Sequence, residues 1–261
     1  MEQDPRVWIA TVRASHERLA SLVAALTPEQ LRGPSYCSDW TVAQVLSHLG
    51  SGAEIGLMML PAALGQTGPP DREAFGPIWD TWNAKGPDAQ AADAISADEK
   101  HVEALEQLSD DELAAISFPF FGMTLDSAGL VRLRLGEHAM HTWDVAVSGD
   151  PDATIAPAAV ALLIDNVPGF LAPRLGKAPD RAFRIHIAVT DPDRDYLLIA
   201  ADPVRMPDWP GDGGGADAQV TMPAEALLRL AYGRLDPAHT PGGVEGDAAD
   251  LERLRRVFPG F

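Results

Sequence analysis

Glu137 and His141 stand four residues apart in the run Arg134-Leu-Gly-Glu-His-Ala-Met-His-Thr-Trp-Asp144. Far upstream, Trp40-Thr-Val-Ala-Gln-Val-Leu-Ser-His48 supplies a second imidazole. On an α-helix that spacing brings a carboxylate and an imidazole to one face, close enough to grip one cation together. A third ligand from another helix fills three corners of a tetrahedron and leaves the fourth open, as in catalytic zinc sites. Structural zinc is usually closed by four protein ligands, mostly thiolates. The chain has one cysteine, Cys37, so a thiolate-rich structural site is excluded.

Arg134, Glu137, His141, Asp144 and Ser148 fall on one helical stripe, a pattern that also describes the wet side of a surface helix. A separate helix that carries His48 beside core aliphatics favours the metal reading. His138 and His141, three apart, form an alternative chelating pair; Glu137 with His141 is preferred, and His138 is placed as a neighbour. Asp144 suits a supporting role, because a metal-bound imidazole usually donates its other N–H to a carboxylate or carbonyl. His16, His101, His186 and His239 have no partner at chelating spacing and are read as structural. Cys37, alone before a helix, is read as incidental to chemistry.

The elements that must position these groups follow from periodicity. Helical spacing of apolar residues predicts a helix from about Pro5 to Leu26. Thr27-Pro-Glu-Gln30 and Thr41-Val-Ala-Gln44 are capping-box starts, the second opening the helix of His48. On that helix Val42, Val45, Leu46 and Leu49 share a face, and His48 lies to its side. Asp71 is a candidate cap for a short helix through Trp82, a longer helix runs from about Pro87 to Leu108, and Ser109 starts another. Phe118-Pro-Phe-Phe-Gly122 reads as a loop or short hairpin leading into a helix from about Asp126 to Val147. The first half is therefore a bundle of about four long helices.

After the turn-rich Ser148–Asp152 the character changes. Pro157 to Leu171 is helical, and Phe183, Ile185, Ile187 and Val189 alternate with polar or small residues as a half-buried strand does. Tyr196–Ala200 and Ala218–Met222 are further strands, followed by helices at about 224–232 and 248–257. Gly211–Gly215 is a loop without the fingerprint of a phosphate cradle. The expected domains are a helical metal-binding domain over 1–150 and a small α+β domain over 151–261.

Length and composition agree with this. The chain has 261 residues, 46% of them apolar, enough for two modest cores. A formal charge of −18 argues against nucleic acid or anionic membrane as partners. The charged start, Met1-Glu-Gln-Asp-Pro-Arg6, lacks a secretory signal's apolar core, no stretch is long enough to span a bilayer, and one unpaired cysteine fits a reducing compartment. The cytoplasm is the expected location, as a monomer or homodimer.

The segments Trp40–Leu49 and Gly136–Asp144 resemble the two signature segments of the mycothiol-dependent maleylpyruvate isomerase family, a branch of the DinB-like four-helix metalloproteins. Leu227-Leu-Arg-Leu-Ala-Tyr-Gly-Arg-Leu-Asp236 and the ending from Val244 to Phe261 resemble that family's second domain. The resemblance implies a DinB-like bundle followed by a sterol-carrier-like α+β domain, with a divalent metal, zinc by preference, on His48, Glu137 and His141. It also implies a low-molecular-weight thiol cosubstrate, mycothiol, used in addition or S-transfer to a small electrophile. Arg234 is then the candidate catalytic arginine, Asp144 a second catalytic-site residue, and Arg134 and His138 the candidate contacts for the cofactor. The alternatives are a DinB-like metal- or ligand-binding protein without turnover, and a zinc hydrolase that uses metal-bound water.

Overall fold

The computed structural model describes residues 4–37, 39–120, 123–211 and 215–260. Residues 1–3, 38, 121–122, 212–214 and 261, on which parts of the readings of the charged start, of 118–122 and of 211–215 fall, lie outside the described residues. The chain divides into two compact units, Met1–Ala153 and Thr154–Phe261, each taken here by itself.

In the first unit the helices are α1 (Pro5–Ala24), α2 (Pro28–Arg32), α3 (Val42–Ala63), α4 (Gly76–Asn83), α5 (Pro87–Glu106), α6 (Asp110–Ala115) and α7 (Ser127–Ala146). A short antiparallel hairpin, β1 (Phe118–Phe120) with β2 (Met123–Leu125), precedes α7. The four long helices form a bundle in which α1 packs on α5 and α7, and α3 packs on the same two from the other side. Local chemistry sets the starts. Thr27 with Gln30, Thr41 with Gln44 and Ser109 with Glu112 each close a reciprocal capping box, and Asp126 caps α7 through the Gly129 N–H.

The core of the bundle is apolar where α3 meets α5: Val42, Val45, Leu46, Leu49 and Ala53 are buried against Ala91, Ala94 and Ala97. Small residues let the helices close up. A Cβ at Gly50 would lie 2.2 Å from the Trp82 ring, so that indole packs directly on the α3 backbone.

Two expected helices are interrupted, both at proline. The segment after Asp71 is a 3₁₀ turn, Arg72–Phe75, followed by α4, and Asp71 makes no capping bond. Pro77 lacks an N–H and is tolerated in the first turn of a new helix, not inside a continuous one. In the second unit the expected helix 157–171 is instead α8 (Pro157–Leu163), a wide helical turn over Val167–Leu171, and α9 (Ala172–Leu175). Pro168 stands in the first turn after the break, for the same reason.

The rest of the second unit is a three-stranded mixed sheet with helices. Strand β3 (Phe183–Thr190) is central, antiparallel to β4 (Arg194–Ala200) and parallel to β5 (Ala218–Pro223). Phe183, Ile185, Ile187 and Val189 are buried and Arg184 is exposed, which is the period-two alternation. Helices α10 (Ala224–Ala231) and α11 (Ala248–Val257) follow. Among the described residues no single helix is long and apolar enough to cross a membrane.

Candidate metal centre

Helix α7 presents Glu137 and His141 one turn apart, and α3, packed beside it, presents His48. Glu137 Oε2 lies 3.0 Å from His48 Nε2 and 3.6 Å from His141 Nε2. The two imidazole rings meet edge to face with centroids 4.8 Å apart. One ligand atom from each of the three residues lies within 4.8 Å of the others. Ligand atoms at about 2.0–2.1 Å from a tetrahedral ion are separated by about 3.3–3.4 Å, so the two spacings to the Glu137 carboxylate fit a shared cation with adjustments of a few tenths of an ångström.

The cluster is open on one side. The side chains of His48 and Glu137 are 39% and 51% exposed, whereas His141 is only 11% exposed. Trp40 leans over the rim, its ring centroid 5.3 Å from His48 and 6.4 Å from His141.

His141 is fixed from behind. Its Nδ1 lies 2.8 Å from Oδ2 of the fully buried Asp144, which leaves Nε2 for the open face. The same carboxylate oxygen accepts the Cys37 thiol at 3.2 Å. Burial by itself depresses the His141 imidazolium, but hydrogen bonds to Asp144, Cys37 and Glu137 outweigh it and hold the pKa up at about 10. Partial desolvation by itself raises the Glu137 carboxyl, yet hydrogen bonds from His141 and His48 keep it well below the usual carboxylate range. Glu137 is thus an anion paired with a protonated ring, and a cation bound here would take the place of the His141 proton.

Cys37 arrives here through tertiary structure. The segment between α2 and α3 folds onto the end of α7: the Tyr36 N–H donates to the Asp144 carbonyl, and the Tyr36 ring packs edge-on to Trp143 at 4.8 Å. The Ser35 N–H donates to the Trp40 carbonyl, and Pro34 bridges to Thr41. One loop therefore delivers both Cys37 and Trp40. Cys37, read from the sequence as incidental to chemistry, is placed by this loop in the surroundings of His141, through its thiol's bond to Asp144.

The structure does not bring Arg134 and His138 to the cluster. They join a buried polar network built around Asp98 of α5, which has no exposed surface. His138, also with no exposed surface, bonds through Nε2 to Asp98 Oδ2 at 2.8 Å and through Nδ1 to the Ser15 hydroxyl of α1, also at 2.8 Å. Arg134 donates to Asp98 Oδ1 and to the Leu49 carbonyl of α3. His16 of α1 completes the set through Nδ1 to Asp98 at 2.7 Å and Nε2 to Glu99 at 2.6 Å. All four bundle helices meet in this network. Burial by itself raises the Asp98 carboxyl, but the charges of His138 and Arg134 and the bonds from His138 and His16 hold it far below its ordinary value. Arg234 lies in the second unit, largely buried, and donates from Nη1 to the Tyr232 carbonyl at 2.8 Å.

A helical bundle with two imidazoles and a carboxylate converging from facing helices, open on one side, defines a class of proteins suited to holding a metal ion between helices. Within that class, the chain belongs to the mycothiol maleylpyruvate isomerase family. Residues 12–146 match the model described as "Mycothiol maleylpyruvate isomerase N-terminal domain", and residues 158–253 match the "MDMPI C-terminal domain". A solved crystal structure of the mycothiol-dependent maleylpyruvate isomerase is similar in fold, with a TM-score of 0.68, 14% identity and 94% of each chain covered. A mutant of that enzyme aligns with the same values. A protein of Geobacillus thermodenitrificans (strain NG80-2), whose name describes a metal-dependent hydrolase, is 33% identical over 89 residues. That match covers 34% of this chain and 48% of the relative, so the chain spans about half the length of the curated relative it matches.

Proposed function

We propose that this protein is a zinc-dependent enzyme that activates a low-molecular-weight thiol, mycothiol, for addition or S-transfer to an electrophilic small molecule, in the manner of maleylpyruvate isomerase. The observation that carries the reading is the His48–Glu137–His141 cluster, three ligands with one side open, in a chain of that family. Zinc, when bound, supplies Lewis acidity that acidifies a neighbouring thiol toward neutral pH.

The protein's own groups do the rest. His48, Glu137 and His141 furnish the donors and leave room for a fourth. Asp144 holds His141 in the tautomer whose Nε2 lone pair faces the opening, and keeps the ring from turning. Trp40 screens one edge of the opening from water. Arg134 and His138 act from behind, fixing α7 against α1 and α5 through Asp98. Arg234 is proposed as the clamp for a substrate carboxylate, since a guanidinium fork matches two carboxylate oxygens.

A second reading, hydrolysis by metal-activated water, draws on the name of the Geobacillus relative. The same assay separates the two. Zinc-loaded protein is given maleylpyruvate, or a generic thiol-reactive electrophile, with and without mycothiol. Thiol-dependent turnover that vanishes in His48→Ala supports the proposal. Turnover of a hydrolysable substrate without thiol favours the second reading, and metal binding with no thiol-dependent rate on either electrophile overturns the first.

A further inference from the structure

The His141 ring offers two nitrogens, and thiol activation at the His48–Glu137–His141 cluster uses Nε2 alone. On the Nδ1 side stand Asp144 Oδ2 at 2.8 Å and, 3.2 Å from that oxygen, the Cys37 sulfur. One ligand atom from each of the three residues lies within 4.8 Å of the others, a bound that His48, Glu137 and His141 also meet. We infer that Cys37, His141 and Asp144 form a second cation site, suited to a soft closed-shell ion such as Cd2+.

Three features of the geometry support it. The donors are of three kinds from separate places, the loop before α3 and the last turns of α7, and the loop's own backbone bonds pin it to Asp144. Asp144 is fully buried and Cys37 partly so, which leaves the sulfur as the side of approach. At zinc bond lengths of about 2.3 Å to sulfur and about 2.0 Å to oxygen a tetrahedral sulfur–oxygen edge is about 3.5 Å, a few tenths beyond the 3.2 Å observed, and the larger Cd2+ requires the loop that carries Cys37 to give further. The two protons now shared with Asp144, on sulfur and on nitrogen, occupy the position the ion would take.

Binding there balances simply. The thiol proton and the Nδ1 proton are released to solvent as the ion takes their place, and Nε2, which faces Glu137, keeps its own proton. A ring protonated on Nε2 has no lone pair left for the His48–Glu137 side, so one His141 cannot serve both sites at once. Ligand softness then selects the nitrogen: thiolate draws soft ions to Nδ1, while the nitrogen and oxygen donors of the other cluster take harder ones. This second site shares His141 with the first but does not rest on thiol activation, because it is read by binding without turnover.

The full chain contains a single cysteine, so a thiolate-to-cadmium absorption band in the near ultraviolet reports Cys37 alone. Titration with Cd2+ is expected to saturate at one ion per chain, with the band lost in Cys37→Ser and kept in His48→Ala. In Asp144→Asn the midpoint is expected to rise at least tenfold, as it would not for an isolated surface thiol. Zinc loaded beforehand is expected to raise the midpoint in the natural protein and not in His48→Ala. Nitrogen-detected NMR of the natural protein guards against a variant that fails to fold: Cd2+ should shift Nδ1 of His141, and Zn2+ should shift Nε2. An unchanged midpoint in Asp144→Asn with native circular dichroism, or a Cd2+ shift at Nε2, overturns the inference.

Discussion

Asp144 Oδ2 stands 2.8 Å from His141 Nδ1, and on the other edge of the same ring Nε2 stands 3.6 Å from Glu137 Oε2. The ring is held between two carboxylates, one fully buried and one half in solvent. The buried one sets which nitrogen faces outward, so in the proposed zinc site it would orient the donor without touching that ion. Asp144→Asn is therefore expected to weaken zinc binding by about 10–100-fold while leaving the fold intact. Competition against a chelating dye, with circular dichroism as the check on folding, measures this.

Asp98 accounts for the other half of the design. Among the described residues it is the one carboxylate that His138, Arg134 and His16 all share, and none of the four side chains is more than 9% exposed. Removing it in Asp98→Ala strands cationic or polar groups in the interior, so a loss of about 3–5 kcal/mol is expected in urea unfolding. The same change should weaken metal binding, because α7 loses its tie to α1 and α5. A variant with unchanged stability would mean that the network relaxes to water.

The metal cluster was legible because its signal is local. Four-residue spacing places Glu137 and His141 on one face of any helix, and the Thr41–Gln44 box fixes where the His48 helix starts. The Asp98 network carries a weaker signal. Ala91, Ala94, Asp98, His101 and Leu105 recur at helical spacing and are all buried, so a carboxylate and an imidazole sit inside an apolar stripe. A polar residue on such a stripe implies a buried partner, but the sequence does not say which helix supplies it. Cys37 was out of reach for a different reason. Its contact with Asp144 spans 107 residues and depends on how one loop folds back, which no periodicity records. The helix expected at 157–171 passed over Pro168, where the missing N–H and the ring decide against continuity.

His101 gives the protein an acid sensitivity separate from the metal. Its ring is 6% exposed, packed where a Cβ on Gly56 would come within 2.7 Å of its Nε2, and its Nδ1 finds no partner among the described residues. Burial, helped by the charge of Arg134, pushes its pKa down from 6.5 to about 3. The folded state thus keeps this ring neutral where the unfolded chain protonates it. The unfolded state binds more protons between the two values, so stability falls as pH drops from about 6.5 toward about 3, by up to about 1.4 kcal/mol per pH unit from this one group. His101→Phe should flatten the slope of unfolding free energy against pH by one proton in that window. An unchanged slope would show that the ring is protonated in the folded protein.

Gly233 and Gly260, from the Tyr-Gly-Arg and Phe-Pro-Gly segments that resemble the family's second domain, owe their places to each other. Both have positive φ, 73° and 81°, and a Cβ on Gly233 would lie 2.3 Å from the backbone of Gly260. Gly233→Ala therefore combines a left-handed backbone, about 1–2 kcal/mol for an L side chain, with a backbone collision worth about 1–3 kcal/mol. Gly243 separates the two effects. Its φ is 82°, but an added Cβ would meet only Pro223 at 3.4 Å, an ordinary contact. In thermal unfolding Gly243→Ala should show the conformational cost alone, and Gly233→Ala roughly twice that or more. Equal losses would mean that the chain end carrying Gly260 moves aside, and that the close approach of the two glycines is not what holds that end in place.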